Sequence, residues 1–332
     1  MKIDTDAELS QFNVIAVTGA SGFVGRHLVR HLESIGKTVR KIDRFPADAV
    51  GGGDGYVQAD LRRPEDVPHA LEGADLVFHL AGNANGTISV ADPEFDFETN
   101  TVATFRVAKT CADLGSRLVF MSSACVYGWP QRSPMAEDHP TQPFLPYGAS
   151  KLAAETLVTT MTAAFGLQAA VARSFVIYGP GEDPRYAGGE VSQFLRWHLN
   201  DLPIKVVGDI DLKTRDFVHV SDVVRALAVV ADRADAGEVV NVGSGRETTM
   251  RQLADVVSSA TGRVALLDAD PTILDDSFRL VADVTRLRTL GHRQLTSLPE
   301  GVASLARDLG AFPELPGTNA AFRNDQLSSV EV

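Results

Sequence analysis

The chain has 332 residues, 44% of them hydrophobic and 22% charged, with a formal net charge of −12. That length predicts one large domain or two sharing a chain, and the composition excludes a disordered one. The acidic balance excludes retention on nucleic acid or an anionic membrane by bulk charge, so any anionic ligand must be met locally. Two cysteines, Cys111 and Cys125, are too few for a disulfide framework and are not spaced as a metal site. No metal is therefore expected, and a reducing cytoplasm is. Residues 1–10 lack the apolar core of a signal peptide, and no apolar run approaches the roughly 20 residues that span a bilayer.

In chain order, residues 13–17 read as a buried strand, 22–35 as a helix ended by Gly36, 39–43 as a second strand, and 56–60 and 76–80 as two more. A helix over 97–114 precedes a strand over 118–122, and a helix over 147–165 precedes a strand over 168–175. Such alternation implies a parallel sheet covered on both faces. The nearly unbroken apolar content of 118–121 and 169–172 fits burial from two sides. After Tyr178 the character changes. The Gly and Pro content of 179–184 marks a loop, followed by a helix over 191–198 and a strand over 204–207. The apolar run 239–242 is expected to rejoin the main sheet, so that a smaller lobe interleaves with it.

The first strand runs into Thr18-Gly19-Ala20-Ser21-Gly22-Phe23-Val24-Gly25 and then a helix. Gly19 permits a sharp turn, Gly22 lets backbone approach a pyrophosphate, and Gly25 lets helix and strand pack closely. The helix N-terminus offers free N–H groups to the anion. Asp43 ends the second strand about 20 residues further on, where a carboxylate bonds an adenine ribose and repels a 2′-phosphate. NAD rather than NADP is expected. Arg44 complicates the choice, since a guanidinium there could pair with that phosphate.

Tyr147 and Lys151 stand four residues apart, on one helix face, where the ammonium is expected to lower the phenol's pKa and fit it for proton transfer. The spacing alone also fits a surface tyrosine beside a solvated lysine; its place after the fifth strand favours the chemical reading. That strand ends in Ser122-Ser123, at the edge that faces the ligand crevice of an open α/β sheet. Ser123 can bond the same substrate oxygen as Tyr147, and that role is favoured for it over satisfying backbone groups at the strand end, the rival reading that weighs as much for Ser122.

Taken in order, Gly19 to Gly25, Asp60-Leu61, His79-Leu80-Ala81-Gly82, Asn100, Ser122 to Gly128, Tyr147 with Lys151, and Arg215-Asp216-Phe217-Val218-His219-Val220 resemble the extended short-chain dehydrogenase/reductases. The NAD-dependent nucleotide-sugar epimerase/dehydratase family is the group they match best. The resemblance covers roughly residues 14–305. It implies an α/β fold: a doubly wound parallel Rossmann sheet over 12–178 that binds NAD, with 216–243 returning to it. A substrate lobe would be built from 179–215 and 244–312, with a polar, frayed tail at 313–332. By the same resemblance, Gly19, Gly22, Phe23, Val24 and Gly25 hold the pyrophosphate, and Asp60 and Leu61 meet the adenine. Leu80, Ala81 and Gly82 line the cofactor and Asn100 supports the site. Tyr147 is the acid/base, Lys151 binds the nicotinamide ribose, and Arg215 pairs with a nucleotide diphosphate. The rival role for Arg215 is a structural ion pair with Asp216 or another acid. A homodimer is implied, through the helices over 97–114 and 147–165 paired across a two-fold axis.

The sequence also departs from the family pattern. Val176 and Ile273 stand where many members carry an asparagine and an arginine that contact the diphosphate. Ala124 and Cys125 stand where dehydratases and decarboxylases of the family carry acids. The reaction implied is therefore C4 epimerisation of a nucleotide sugar. A reductase or dehydrogenase of such a sugar is the alternative, and a non-catalytic NAD-binding scaffold a remoter one. His79 and His219 are expected to be packed rather than metal ligands, Cys125 to be a small apolar filler, and Arg185 to be solvated. Asp92, Glu94, Asp96 and Glu98 are expected to form a solvated face suited to a helix dipole.

Overall fold

The computed structural model describes residues 9–184, 189–270 and 278–315. The strands of its first half are β1 (Val14–Thr18), β2 (Thr38–Asp43), β3 (Tyr56–Gln58), β4 (Leu76–His79), β5 (Arg117–Ser123) and β6 (Ala169–Ser174). Then come β7 (Val176–Tyr178), β8 (Ile204–Val207), β9 (Thr214–Arg215), β10 (Phe217–His219), β11 (Val239–Val242), β12 (Thr248–Thr249), β13 (Leu267–Asp270) and β14 (Arg279–Leu280). Seven of them form one sheet in the order β3-β2-β1-β4-β5-β6-β11, with every pairing parallel. The order reverses between β1 and β4. In an open α/β sheet the crevice beyond the carboxyl ends of the strands at such a reversal is where ligands bind.

The side-chain period of two explains the two cores. Ile15 and Val17 of β1 and Val119 of β5 join Leu28, Leu32, Val223 and Leu227 in one buried cluster. Their neighbours Ala16, Leu118 and Phe120 turn to the other face and join Val107, Cys111 and Val158. Both faces are thus dry, as a parallel sheet requires. A third cluster, including Tyr178, Phe194, Ile204, Met250, Leu253 and Leu305, fills the lobe built on the second half. Two of the lobe's helices, Met250–Thr261 and Leu298–Leu309, open on capping boxes, Thr249 with Gln252 and Ser297 with Glu300.

Two elements differ from expectation. The helix over 97–114 is present but starts earlier and is not uniform: Pro93–Phe97 continues through a π-helical turn, Glu98–Val102, into Ala103–Leu114. The wide turn lets Asn100 and Thr101 face inward together, where Thr101 Oγ1 donates to the Ser150 carbonyl at 2.9 Å. The strand over 56–60 stops at Gln58, because the Asp60 N–H leaves the ladder to donate to the Asp66 carboxylate at 2.9 Å. No described helix is long and apolar enough to cross a membrane.

Candidate active site

The phosphate turn is held by its glycines. Gly19 has φ +68°, and a Cβ there would lie 2.9 Å from the Ala81 backbone; a Cβ on Gly25 would lie 2.0 Å from the Gly19 carbonyl oxygen. Gly22 is the N-cap of the Phe23–Ser34 helix, with no side chain capping it. The first N–H groups, at Phe23 and Val24, are therefore left to an anion. Asp43 closes the turn from β2. Its Oδ2 accepts from the Ser21 N–H at 3.1 Å and the Ser21 hydroxyl at 2.5 Å, and its Oδ1 from the Arg44 N–H at 2.8 Å. Arg44 is exposed, its guanidinium 5.0 Å from the Phe45 ring centre and 5.9 Å from that of Phe95. Asp60 is gripped by Arg62 at 2.7 and 3.0 Å, which holds its carboxyl below the usual carboxylate range, and Leu61 beside it is buried.

The residues expected to act on the substrate hydroxyl meet at the carboxyl edge of the sheet. Ser123 ends β5, its Oγ accepting the Cys125 N–H at 3.2 Å. Tyr147 and Lys151 lie on the Pro146–Phe165 helix. The phenol is not lowered as the lysine's spacing suggested. The protein around it at the cleft floor excludes water and pushes its pKa up, nearby Cys125 and Asp96 add to this, and only the Ser123 hydroxyl opposes it. Lys151 Nζ turns instead to the Met121 carbonyl, at 3.1 Å, and lies 5.0 Å from the centre of the Phe120 ring. Burial lowers that ammonium to about 8, with Asp96 and Glu155 holding it up. The loop after β4 packs directly on this group. A Cβ on Gly82 would meet Asn100 Oδ1 at 2.6 Å and Lys151 Nζ at 3.2 Å, so the cradle formed with Leu80 and Ala81 admits no side chain there. These features, with the open helix N-terminus, fit a bound dinucleotide.

Beneath the pair lies a polar platform that the sequence did not announce. Asp96, expected on a solvated face, is fully buried. Its carboxylate accepts from Asn83 Nδ2 at 2.7 Å, Asn100 Nδ2 at 3.0 Å and Ser150 Oγ at 2.6 Å. Asn100 Oδ1 accepts the Asn83 N–H at 2.8 Å, which fixes the orientation of its amide. One sequence signal could have found it: Asp96 and Asn100 stand four apart, on one helical face. His79 is packed between hydroxyls, Thr18 Oγ1 at 2.7 Å and Thr104 Oγ1 at 3.0 Å. Burial, reinforced by Lys151, lowers its pKa to about 3. His219 bonds Ser221 Oγ at 2.8 Å. Among the described residues no three His, Cys, Asp or Glu side chains converge as a metal set.

Arg215, on β9, is buried, its Nε 3.1 Å from the Glu190 carboxylate and its guanidinium 4.4 Å from the Phe278 ring centre. Asp216 is not its partner. That carboxylate is spent on the Ser244 and Gly245 N–H groups and the Ser244 hydroxyl, at 2.6–2.8 Å. Phe278 packs edge-on to Trp129, 5.2 Å between centres, and Trp129 stacks on Phe144 at 4.8 Å. This aromatic shelf beside Arg215 is a second feature that spacing did not reveal. Cys125 is exposed at the cleft rather than filling the core. Val176 begins β7, where its N–H donates to the Asp216 carbonyl. Arg185, Ile273 and the tail beyond 315 lie outside the described residues.

A doubly wound sheet with a glycine turn at its first helix, and a serine, a tyrosine and a lysine at the same edge, defines a dinucleotide-dependent enzyme of the short-chain dehydrogenase/reductase class. The model of the NAD dependent epimerase/dehydratase family matches residues 15–243, and the chain belongs to that family. A UDP-glucose 4-epimerase of Mycolicibacterium smegmatis is 33% identical over 299 residues, 86% of this chain and 95% of that one. A putative UDP-glucose 4-epimerase of Methanocaldococcus jannaschii is 29% identical over 295 residues, 87% and 96% of the two chains. Among solved structures, the Thermus thermophilus UDP-glucose 4-epimerase in complex with NAD superposes with a TM-score of 0.80 at 30% identity, covering 89% of this chain and 98% of that one. MoeE5 in complex with UDP-glucose and NAD gives 0.79 at 33%, with the same coverage.

Proposed function

We propose that the protein is an NAD-dependent epimerase of a nucleoside-diphosphate sugar, acting at the sugar C4 through a transient 4-keto species. The observation that carries this is the assembly of Ser123, Tyr147 and Lys151 beside the phosphate turn, with Ala124 and Cys125 following the serine. The proton machinery for oxidising a hydroxyl is there, and no carboxylate follows the serine to assist an elimination. Gly19, Gly22, Phe23, Val24 and Gly25 would hold the pyrophosphate of NAD, Asp43 its adenine ribose, Asp60 and Leu61 the adenine, and Lys151 the nicotinamide ribose. NAD held there would supply the hydride acceptor for the C4 hydrogen and the donor for its return, with no net change in the cofactor.

The chain's own groups do the rest. Tyr147 takes the C4 hydroxyl proton and gives it back, while Ser123 Oγ bonds the same oxygen. Burial holds the Tyr147 phenol high without ligand, and the positive charge of an oxidised nicotinamide, if bound beside it, would favour the phenolate. Arg215 exchanges Glu190 for the substrate diphosphate, a bidentate anion suited to its fork. Val176 adds no polar contact to that diphosphate, so Arg215 carries more of it. Residues 12–178 and 216–243 would form the NAD-binding part and 179–215 with 244–312 the substrate lobe, in a cytoplasmic homodimer.

The test uses UDP-glucose deuterated at C4 with catalytic NAD. Product that keeps the label at C4, with no free NADH, is expected; one NADH released per turnover would replace the epimerase with a dehydrogenase. Tyr147→Phe should bind NAD and lose turnover by roughly a hundredfold or more, with Ser123→Ala losing less. Near-full activity of Tyr147→Phe would overturn the site.

A further inference from the structure

The mechanism above leaves one buried charge unused. Asp96 has no exposed surface, and Asn83, Asn100 and Ser150 all donate to it. Three donors and no acceptor are the surroundings of an ionised carboxylate. A buried charge held only by neutral groups is costly unless a cation stands near. Two buried arginines near the site are already matched: Arg173 lies on Glu155 through contacts of 2.7–3.1 Å, and Arg215 on Glu190. Lys151 has a neutral carbonyl, that of Met121, as its hydrogen-bond acceptor and the Phe120 ring beneath it. Its Nζ and the Asn100 amide both reach the space at Gly82, and Asn100 is bonded to Asp96. Asp96 and Lys151 are thus two buried charges with no direct ionic partner among the described residues, and Asn100 borders both, bonded to Asp96 and facing the same space at Gly82 as Lys151 Nζ.

Ser150 provides the second link. It sits between Tyr147 and Lys151 on their helix, its Oγ 2.6 Å from Asp96 Oδ2 and 3.0 Å from the Tyr147 carbonyl, and it accepts from Asn100 Nδ2 at 3.1 Å. We propose that Asp96 is a positioning residue for the acid/base pair: it fixes the Ser150 turn that joins Tyr147 to Lys151 and is the counter-charge of the Lys151 ammonium. This rests on reading Tyr147 and Lys151 as that pair.

The groups facing Lys151 are few. Its own helix offers Tyr147 and Glu155, the latter taken by Arg173. Strand β4 offers the neutral His79, β5 the Met121 carbonyl, and the Pro93–Phe97 helix offers Asp96. Of the two carboxylates that hold the ammonium up against burial, Asp96 is the larger contributor. Neutralising it lowers the Lys151 pKa further, so the charge that grips the cofactor is lost at a lower pH.

The experiment is NAD titration by calorimetry from pH 6 to 9.5 on the wild type, Asp96→Asn and Ser150→Ala. Wild-type affinity should fall along an alkaline limb. In Asp96→Asn that limb should move down by about one pH unit, whereas Ser150→Ala should leave it in place and slow turnover several-fold. An unmoved limb in folded Asp96→Asn overturns the proposal. If Asp96→Asn does not fold, adding Lys151→Met should restore folding by removing the partner charge, and failure to do so overturns it equally. A wild type with no alkaline limb, and a Lys151→Met variant that binds NAD as tightly, would sink the acid/base reading instead. The melting temperatures of Asp96→Asn, Lys151→Met and the double variant then decide the pairing: additive losses refute it and a smaller combined loss upholds it.

Discussion

Asp43 and Arg44 adjoin in sequence and pull the cofactor choice in opposite directions. The Asp43 carboxylate is fixed by three N–H and O–H donors from Ser21 and Arg44, so it cannot swing away from a 2′-phosphate. Arg44 is exposed and stacked on Phe45 and Phe95, with no carboxylate in ion-pair contact among the described residues, so its guanidinium is not committed elsewhere. A fixed, half-buried carboxylate where a ribose would lie outweighs an exposed guanidinium, whose charge water and salt screen. NAD is therefore expected to bind tighter than NADP by about tenfold or more, and Asp43→Ala to erase the difference. Equal titrations on the wild type would mean that Arg44 sets the choice. Both residues were legible from the glycine turn and its spacing to the second strand. Asp96 was not. It sits between Phe95 and Phe97, and Phe97 is 49% exposed while the acid is fully buried. The polarity pattern is inverted there because hydrogen bonds to Asn83, Asn100 and Ser150, not apolar packing, stabilise the buried position.

The glycine turn is a unit whose two inner glycines are required for different reasons. Gly25 faces protein, since a Cβ there would overlap the Gly19 carbonyl at 2.0 Å and crowd Ala20 Cα at 2.9 Å. Gly22 has ordinary extended backbone, φ −68° and ψ 173°, and its Cβ would meet a single atom, the Gly19 oxygen, at 3.1 Å. Gly25→Ala should then cost about 1–3 kcal/mol or more of stability, read as a lower melting temperature, and lose NAD with it. Gly22→Ala should melt within a few degrees of wild type and still bind NAD poorly, because the methyl occupies the pyrophosphate's approach. Equal melting losses in both would show that Gly22 too is structural. At this scale the sequence was informative wherever burial set the pattern: β1, β4, β5, β6 and β11 coincide with apolar runs. It was less so where side chains override the ladder, as at the π-helical turn around Asn100 and at Asp60.

At the scale of the whole molecule, the two helices that flank the site also carry apolar residues that the monomer does not use. Phe97 (49% exposed), Phe105 (40%), Leu114 (49%) and Phe165 (72%) lie on or at the ends of the helical segments between Pro93 and Leu114 and of the Pro146–Phe165 helix, which pack on each other. Scattered exposed apolar residues are common, but here four stand on one adjoining pair of helices, an apolar surface open to a partner. A second copy of this chain applying the same helices across a two-fold axis would cover it, and an interface of about 800 Å² per partner is enough for a stable pair. Phe105→Asp places a charge on the exposed side of the Ala103–Leu114 helix, outside the phosphate turn and the Ser123, Tyr147 and Lys151 cluster. Sedimentation velocity at micromolar concentration should give a dimer for the wild type and a monomer for Phe105→Asp, with NAD still bound by the variant. A wild type that sediments only as a monomer would refute the assembly, and a variant that stays dimeric would move the interface off these helices. The consequence for the site is direct, because the Pro93–Phe97 helix and the Pro146–Phe165 helix also carry Asp96, Tyr147 and Lys151. Pairing through this face would brace from outside the same two elements whose contact at Asp96 and Ser150 sets the acid/base geometry from inside, so the monomeric variant should also show a lower melting temperature and slower turnover.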